Sequence, residues 1–346
     1  MRLAIFIFIL ALTISSRAQW EIEDSHTTAS LRGIDSVGDG VAWASGTNGT
    51  VLRTEDGGYV WQLCAIPPGA EKLDFRGIQA FDANTAIVMS SGKGDLSRLY
   101  KTTDGCQTWK LVFTNPDKEG FWDAFVFNFG GDDGLILGDP VDGSFALFGT
   151  IDGKNWKRES NTGLEAKTSE GAFAASNSSI AFDEIDWVVF GTGGSTTPSI
   201  YQQTTYGHYL RREVPVTGGS PSAGVFAING RSACCLVAVG GDYQKPNSPR
   251  ETAALSHDGG KTWNASTTQP HGFRSAVAYD AQQKLWITIG PNGTDISRDD
   301  GRNWTPLKPT KEDAPDADKN WNALSLPFVV GPNGRIGKLR PTALNP

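Results

Sequence analysis

One eight-residue pattern recurs along the chain and constrains its fold more than any other feature. Thr54-Glu55-Asp56-Gly57-Gly58-Tyr59-Val60-Trp61 is one copy, Thr102 to Trp109 (TTDGCQTW) a second, Ser256 to Trp263 (SHDGGKTW) a third and Ser297 to Trp304 (SRDDGRNW) a fourth. Gly149 to Trp156 (GTIDGKNW) reads as a copy whose aspartate, Asp152, has slipped one place, and Thr204 to Leu210 (TTYGHYL) as a worn copy with Tyr206 in place of Asp. A hydroxyl and a carboxylate two residues apart bond neighbouring backbone N–H groups, glycine tolerates positive φ, and the terminal Trp has a ring to bury. Each copy is therefore a tight turn between two strands.

A second periodicity runs alongside. Apolar runs ending in a small residue occur at Val41–Gly46, Ala86–Ser91, Gly134–Gly138, Trp187–Gly191, Cys235–Gly240, Leu285–Gly290 and Pro327–Gly331, spaced by about 41 to 53 residues, the length of a four-stranded propeller blade. No helical period competes beyond the N-terminal stretch. The turn pattern resembles the Asp-box, or BNR, repeat (S-x-D-x-G-x-T-W). That resemblance implies a β-propeller whose Asp boxes sit on outer turns, away from the ligand face.

The expected fold is thus all-β, a seven-bladed propeller of four-stranded antiparallel blades occupying residues 19–346. The last unit, from Trp321, holds three strands and no box, and Trp20-Glu21-Ile22-Glu23 resembles the post-box strand Trp61-Gln62-Leu63-Cys64. The N-terminal strand is expected to complete blade 7 and close the ring, removing an open edge. Upstream, Arg2, the apolar Leu3 to Ile14 and Ser16-Arg17-Ala18 read as a secretory signal cut after Ala18 and too short to span a bilayer. The expected location is extracytoplasmic, with no transmembrane segment in the mature chain.

With 346 residues, 41 glycines and 11 tryptophans the chain supports one large aromatic-rich domain, read as a monomer. A net charge of −7 argues against nucleic-acid or anionic-membrane partners. The four histidines, 26, 208, 257 and 271, are scattered, and no CxxC, HExxH, GxGxxG, CxxCH or Walker loop occurs, so no metal or cofactor is expected. Cys64 and Cys106 lie where adjacent blades bring them within reach, bonded or free; Cys234 and Cys235 read as one inward and one outward strand residue.

Function is sought where the chain leads into each innermost strand and where it leaves the apolar run. Aligning the first set places Arg32, Arg76, Trp122, Arg274 and Trp321 at or beside equivalent positions of blades 1, 2, 3, 6 and 7. The three arginines form an anion site if free, or scaffolding if paired with neighbouring carboxylates such as Asp123 and Glu170. The second set adds Asp139, Asp142, Asp242, Tyr243 and Lys245. Ligand contacts are assigned to Arg32, Arg76, Arg274, Trp122, Trp321, Tyr243 and Lys245, and Asp123, Asp139, Asp142, Glu170, Asp242 and Tyr243 are the weaker set for acid–base chemistry.

The boxes, the terminal closure and the motifs GDPVDG (138–143), EGAFAAS (170–176) and VGGDYQKP (239–246) resemble the photosystem II stability and assembly factors of the Ycf48/Hcf136 type, in their non-photosynthetic bacterial branch. That resemblance implies a module that binds a protein or peptide partner through an arginine patch; an anionic glycan is the other ligand class considered. The alternative is an extracytoplasmic glycosidase. A sialidase casting would use Tyr243 and Glu170 as the nucleophilic pair and Asp123 as the acid, but Leu31-Arg32-Gly33-Ile34 only faintly echoes that family's Phe-Arg-Ile-Pro motif.

Overall fold

The computed structural model describes residues 19–340 and 344, apart from 129–130, 161, 183–187, 205–206 and 312. The signal-peptide reading of residues 1–18, the Tyr206 of the worn box and Trp187 of the fourth apolar run lie outside the described residues.

Seven four-stranded antiparallel sheets follow one another along the chain. Their first strands are Leu31–Gly38, Phe75–Ala80, Trp122–Phe127, Ile180–Phe182, Ala223–Ser232, Ala276–Asp280 and Ala323–Ser325, and each touches the first strands of its two neighbours, so these strands line the axis of a closed ring. In blade 7 the strand Trp20–Glu23 pairs antiparallel with Ile336–Leu339, with Trp20 opposite Leu339 and Glu23 opposite Ile336. The N-terminal segment closes the ring, as expected.

The second strands are apolar on both sides because both sides are covered. Ala86–Ser90, Cys235–Asp242 and Leu285–Gly290 are buried throughout, and each blade sandwiches its neighbour. The apolar core is accordingly divided into seven clusters, one per blade interface. Trp43, Val51, Phe75 and Tyr100 fill the gap between blades 1 and 2, and Trp20, Ile287, Trp321 and Val329 that between blades 6 and 7.

Each Asp box ties the outer part of its blade together. Ser256 Oγ donates to Asp258 Oδ1 at 2.8 Å, accepts from Gly260 N at 2.9 Å, and Asp258 Oδ1 accepts from Thr262 N at 2.9 Å. The same set recurs at Thr54/Asp56, Thr102/Asp104 and Ser297/Asp299. In three blades a box glycine also donates its N–H to the carbonyl at the tip of the hairpin joining the first two strands: Gly57 to Gly40, Gly105 to Asn84 and Gly259 to Cys234. The blade-3 box corrects the sequence reading. Thr150 Oγ1 donates to Asp152 Oδ1 at 3.1 Å, so the aspartate keeps its register and the residue lost lies between Asp152 and Trp156.

Cys64 and Cys106 are disulfide-bonded, joining the outer strand of blade 1 to the box of blade 2. Cys234 is exposed and Cys235 buried, as an alternating pair should be, and their sulfurs are paired with each other. Among the described residues the helical element is a single 3-10 turn, Gly94–Leu96, and no helix is long and apolar enough to cross a membrane.

Candidate ligand-binding funnel

The ring is not an open channel. The segment leading into blade 4, residues 171–179, crosses the axis: Ala174 O accepts from Arg76 Nη1 of blade 2 at 3.1 Å, and Ser176 Oγ donates to Ser275 O of blade 6 at 2.7 Å. The run Gly-Ala-Phe-Ala-Ala-Ser suits this place because small side chains fit where strands converge. Above this plug lies a cavity of about 560 Å³ lined by Arg32, Arg76, Phe121, Asp123, Asp139, Phe173, Phe226, Tyr243, Phe273 and Trp321, among others.

A repeated backbone device aims several of these side chains. The pairing of first and second strands slips between Leu31 and Gly33, Phe75 and Gly77, Trp122 and Ala124, and Val225 and Ala227. The residue left unpaired at each slip is Arg32, Arg76, Asp123 or Phe226, and all four line the cavity. A β-bulge turns a side chain that ladder geometry would send between blades toward the axis instead. The glycine that follows Arg76 is also required, since a Cβ on Gly77 would stand 2.7 Å from Asn177 Oδ1 and 2.8 Å from the Phe125 ring.

One wall is charged. Asp74 lies between the two arginines, accepting from Arg76 Nε at 2.8 Å and standing 3.5 Å from Arg32 Nε. Arg32 Nε has no hydrogen-bond partner among the described residues. Burial draws the Arg32 pKa down against the attraction of Asp74, and the like charge of Arg76 adds to the fall. Asp123 is 2% exposed and its Oδ2 is also unpartnered. Burial first, and then the negative charge of Asp139, push its pKa well up, against the pull of Arg76. Burial likewise raises Asp139, opposed by the Ala172 N–H that donates to its Oδ1 at 3.1 Å. The other wall is aromatic: Phe173 stacks on Phe226 at 3.8 Å between ring centres, Phe273 meets Phe226 edge-on at 4.6 Å, and Tyr243, 50% exposed, stands at the rim.

The remaining sequence-selected residues fall elsewhere. Arg274 is fully enclosed: its Nε donates to Asp295 Oδ2 at 2.9 Å, Nη2 meets the same carboxylate, and Nη1 donates to Asn292 Oδ1 at 2.6 Å. It fixes the loop before blade 6 and does not open into the funnel, because that blade's first strand begins only at Ala276 and has no bulge there. Trp122 is wholly buried and stacks on Phe113 between blades 2 and 3. Trp321 reaches the cavity but is 1% exposed, packed on Trp20 with the Arg335 guanidinium 4.7 Å from its ring centre. Glu170 is a buried strut, accepting from Thr192 Oγ1 at 2.6 Å, Lys167 N at 2.8 Å and Tyr201 OH at 3.0 Å. Asp142 is an exposed turn residue with φ 52°.

Asp242 is buried, and although burial opposes its ionisation, bonds from Ser222 Oγ and Gln244 N outweigh that and lower its pKa. Lys245 pairs with it at 3.2 Å in a separate polar cleft. The arginines therefore pair neither with Asp123 nor with Glu170. Their partners, Asp74 and Asp295, were missed by sequence reasoning, as were Phe173, Phe226 and Phe273. The one signal for Asp74 was its place two residues before Arg76.

The BNR/Asp-box repeat model matches residues 254–265, which run from the third strand of blade 5 through its box. One outer turn of this propeller thus matches the BNR/Asp-box repeat. The Asp-box propeller aligns with a solved structure described as YCF48 bound to D1 peptide, at TM-score 0.65 and 16% identity, over 93% of this chain and 96% of that one. YCF48 from Cyanidioschyzon merolae aligns at TM-score 0.64 and 17% identity, over 94% and 99%. A GH74 enzyme of Niastella koreensis aligns at TM-score 0.34 and 14% identity, over 78% and 47%, a likeness that carries no argument. The sequence has no match among curated proteins. The two YCF48 likenesses show the fold.

Proposed function

We propose that the Asp-box propeller is an exported binding module whose funnel holds a polypeptide segment. One observation carries this reading: two partly exposed arginines share a single carboxylate, opposite a wall of phenyl rings, in one cavity. A peptide offers what both walls lack. Its carbonyls or an acidic side chain accept from Arg32 and Arg76, its N–H groups donate to Asp139, and an apolar side chain covers the rings. A polyanionic glycan satisfies the arginines but meets Asp139 with like charge. The solved YCF48 structure that holds a D1 peptide supports a peptide ligand for a propeller of this shape.

Hydrolysis fits less well. A glycosidase sets two carboxyls on opposite sides of the bond it breaks. Of the five carboxylates selected from sequence, Asp123 and Asp139 reach the funnel, and both belong to neighbouring strands of blade 3. They share one wall.

The test is a peptide array probed with the full mature chain and with Arg76→Gln. We expect the wild type to retain acidic peptides bearing an aromatic or large aliphatic residue, and the variant to lose about tenfold in retention, the effect of one charge-assisted hydrogen bond. Equal retention by both proteins removes the funnel as the site. Export itself is tested by the N-terminal sequence of the protein recovered outside the cytoplasm, expected to start at Gln19.

A further inference from the structure

The hairpin joining the first two strands of blade 5 lies at the far end of those strands from the funnel, since Ala223 pairs with Asp242 near the cavity and Ser232 with Cys235 at the tip. Cys234 and Cys235 are bonded to each other there, with Cys234 exposed and Cys235 6% exposed. A bond between chain neighbours closes no loop and removes almost no freedom from the unfolded chain, unlike Cys64–Cys106, which spans 42 residues. It is not a staple.

The hairpin is held by other means. Gly259 N donates to Cys234 O at 3.0 Å, and Arg231 donates to both oxygens of Asp300 in the neighbouring box, at 2.6 and 2.8 Å, while lying over the Tyr279 ring. The equivalent tip carbonyls in blades 1 and 2 belong to Gly40 and Asn84, so the turn needs no sulfur to form.

We propose that Cys234–Cys235 is a thiol-exchange site, independent of the funnel. An external thiolate attacks the exposed Cys234 Sγ; the new S–S bond forms as the bond to Cys235 breaks, and Cys235 leaves as a thiolate that takes a proton from water. A second external thiolate then attacks the external sulfur of the mixed disulfide. It departs as the oxidised disulfide of the reductant, and Cys234 is released as a thiolate, so two electrons pass from two thiols to the protein. Ser232 Oγ, 3.2 Å from Cys234 Sγ, is placed to donate to that thiolate. Cys234 is the sulfur attacked because it faces solvent, while Cys235 is covered by its strand neighbours.

The experiment incubates the full chain with reduced glutathione, or in a parallel arm with a dithiol oxidoreductase, then alkylates with iodoacetamide and maps the peptides by mass. Cys64 and Cys106 serve as the internal control. We expect Cys234 and Cys235 to be alkylated about tenfold faster than that pair, with no change in melting temperature, and Cys235→Ser, incubated instead with oxidised glutathione, to retain one glutathione on Cys234 as the other leaves as a thiol. The glutathione arm reports a small thiol and the oxidoreductase arm a protein thiol; reaction in either supports the site. Two results overturn it: no labelling of the pair in either arm while the unfolded chain labels fully, or full labelling with no thiol added.

Discussion

Arg32 and Arg76 occupy the same register of adjacent blades, and that equivalence is visible in the repeated Leu-Arg-Gly and Phe-Arg-Gly of the sequence. Arg274 sits in the same aligned position, yet its guanidinium is spent on Asp295, a residue of the third strand of its own blade that no sequence pattern links to it. Alignment reports where a Cα lies, and burial depends on what stands opposite. A neighbouring case is Asp35, wedged between blades 1, 2 and 7, where Ala80 N donates to its Oδ2 at 2.8 Å. Burial lifts its pKa from 3.8 to about 6. Because the folded value is raised, the favourable contribution is fully present below the unfolded pKa and is lost as pH rises through about 6. Asp35→Asn keeps the acceptor and cannot ionise. It should exceed the wild type in stability by about 2 kcal/mol at pH 8, less than the full linkage value because the side chain is partly exposed, and the gap should close by pH 4. Denaturant unfolding across that range measures it, and a gap independent of pH rules the assignment out.

At the scale of elements, the box and the bulge behave differently as signals. The box is written in side chains whose hydrogen bonds define it, so its hydroxyl, aspartate and tryptophan could be read directly, and only the shortened blade-3 copy was misplaced. The bulges at Arg32, Arg76, Asp123 and Phe226 are a matter of strand register, which depends on the partner strand as much as on the bulged residue. They could not be read from the chain. The box tryptophans also separate by environment. Trp304 is 2% exposed and donates from Nε1 to Ser266 Oγ at 3.2 Å, whereas Trp263 is only half-buried. Trp304→Ala should therefore cost about 3–5 kcal/mol and Trp263→Ala clearly less. Urea melts of the two variants decide this, and equal losses would contradict the difference in packing.

Across the whole molecule, ring closure was legible because the two termini are complementary in strand count, whereas the axial plug was legible only in its small residues and not in its partners. The plug matters because it turns a channel into a funnel with a floor. The Cys64–Cys106 disulfide acts at this scale too, linking blades 1 and 2 across 42 residues of chain. Replacing both with Ser should lower stability by about 4 kcal/mol, the loop-entropy value for that separation. Calorimetry of the double variant checks it; a loss below about 1 kcal/mol would show that the blade interface, with Trp43, Phe75 and Tyr100, suffices without the bond.

The funnel is proposed to bind a peptide through its arginines and rings together. Isothermal titration of an array-selected peptide against the wild type, Arg76→Gln and Tyr243→Ala, with Asp258→Asn in a remote box as the control, addresses this directly. Affinity is expected to be about tenfold weaker in each funnel variant, with salt sensitivity reduced in the Arg76→Gln complex alone, where Arg32 remains, and wild-type affinity in the box variant. Unchanged affinity in both funnel variants would contradict the proposal.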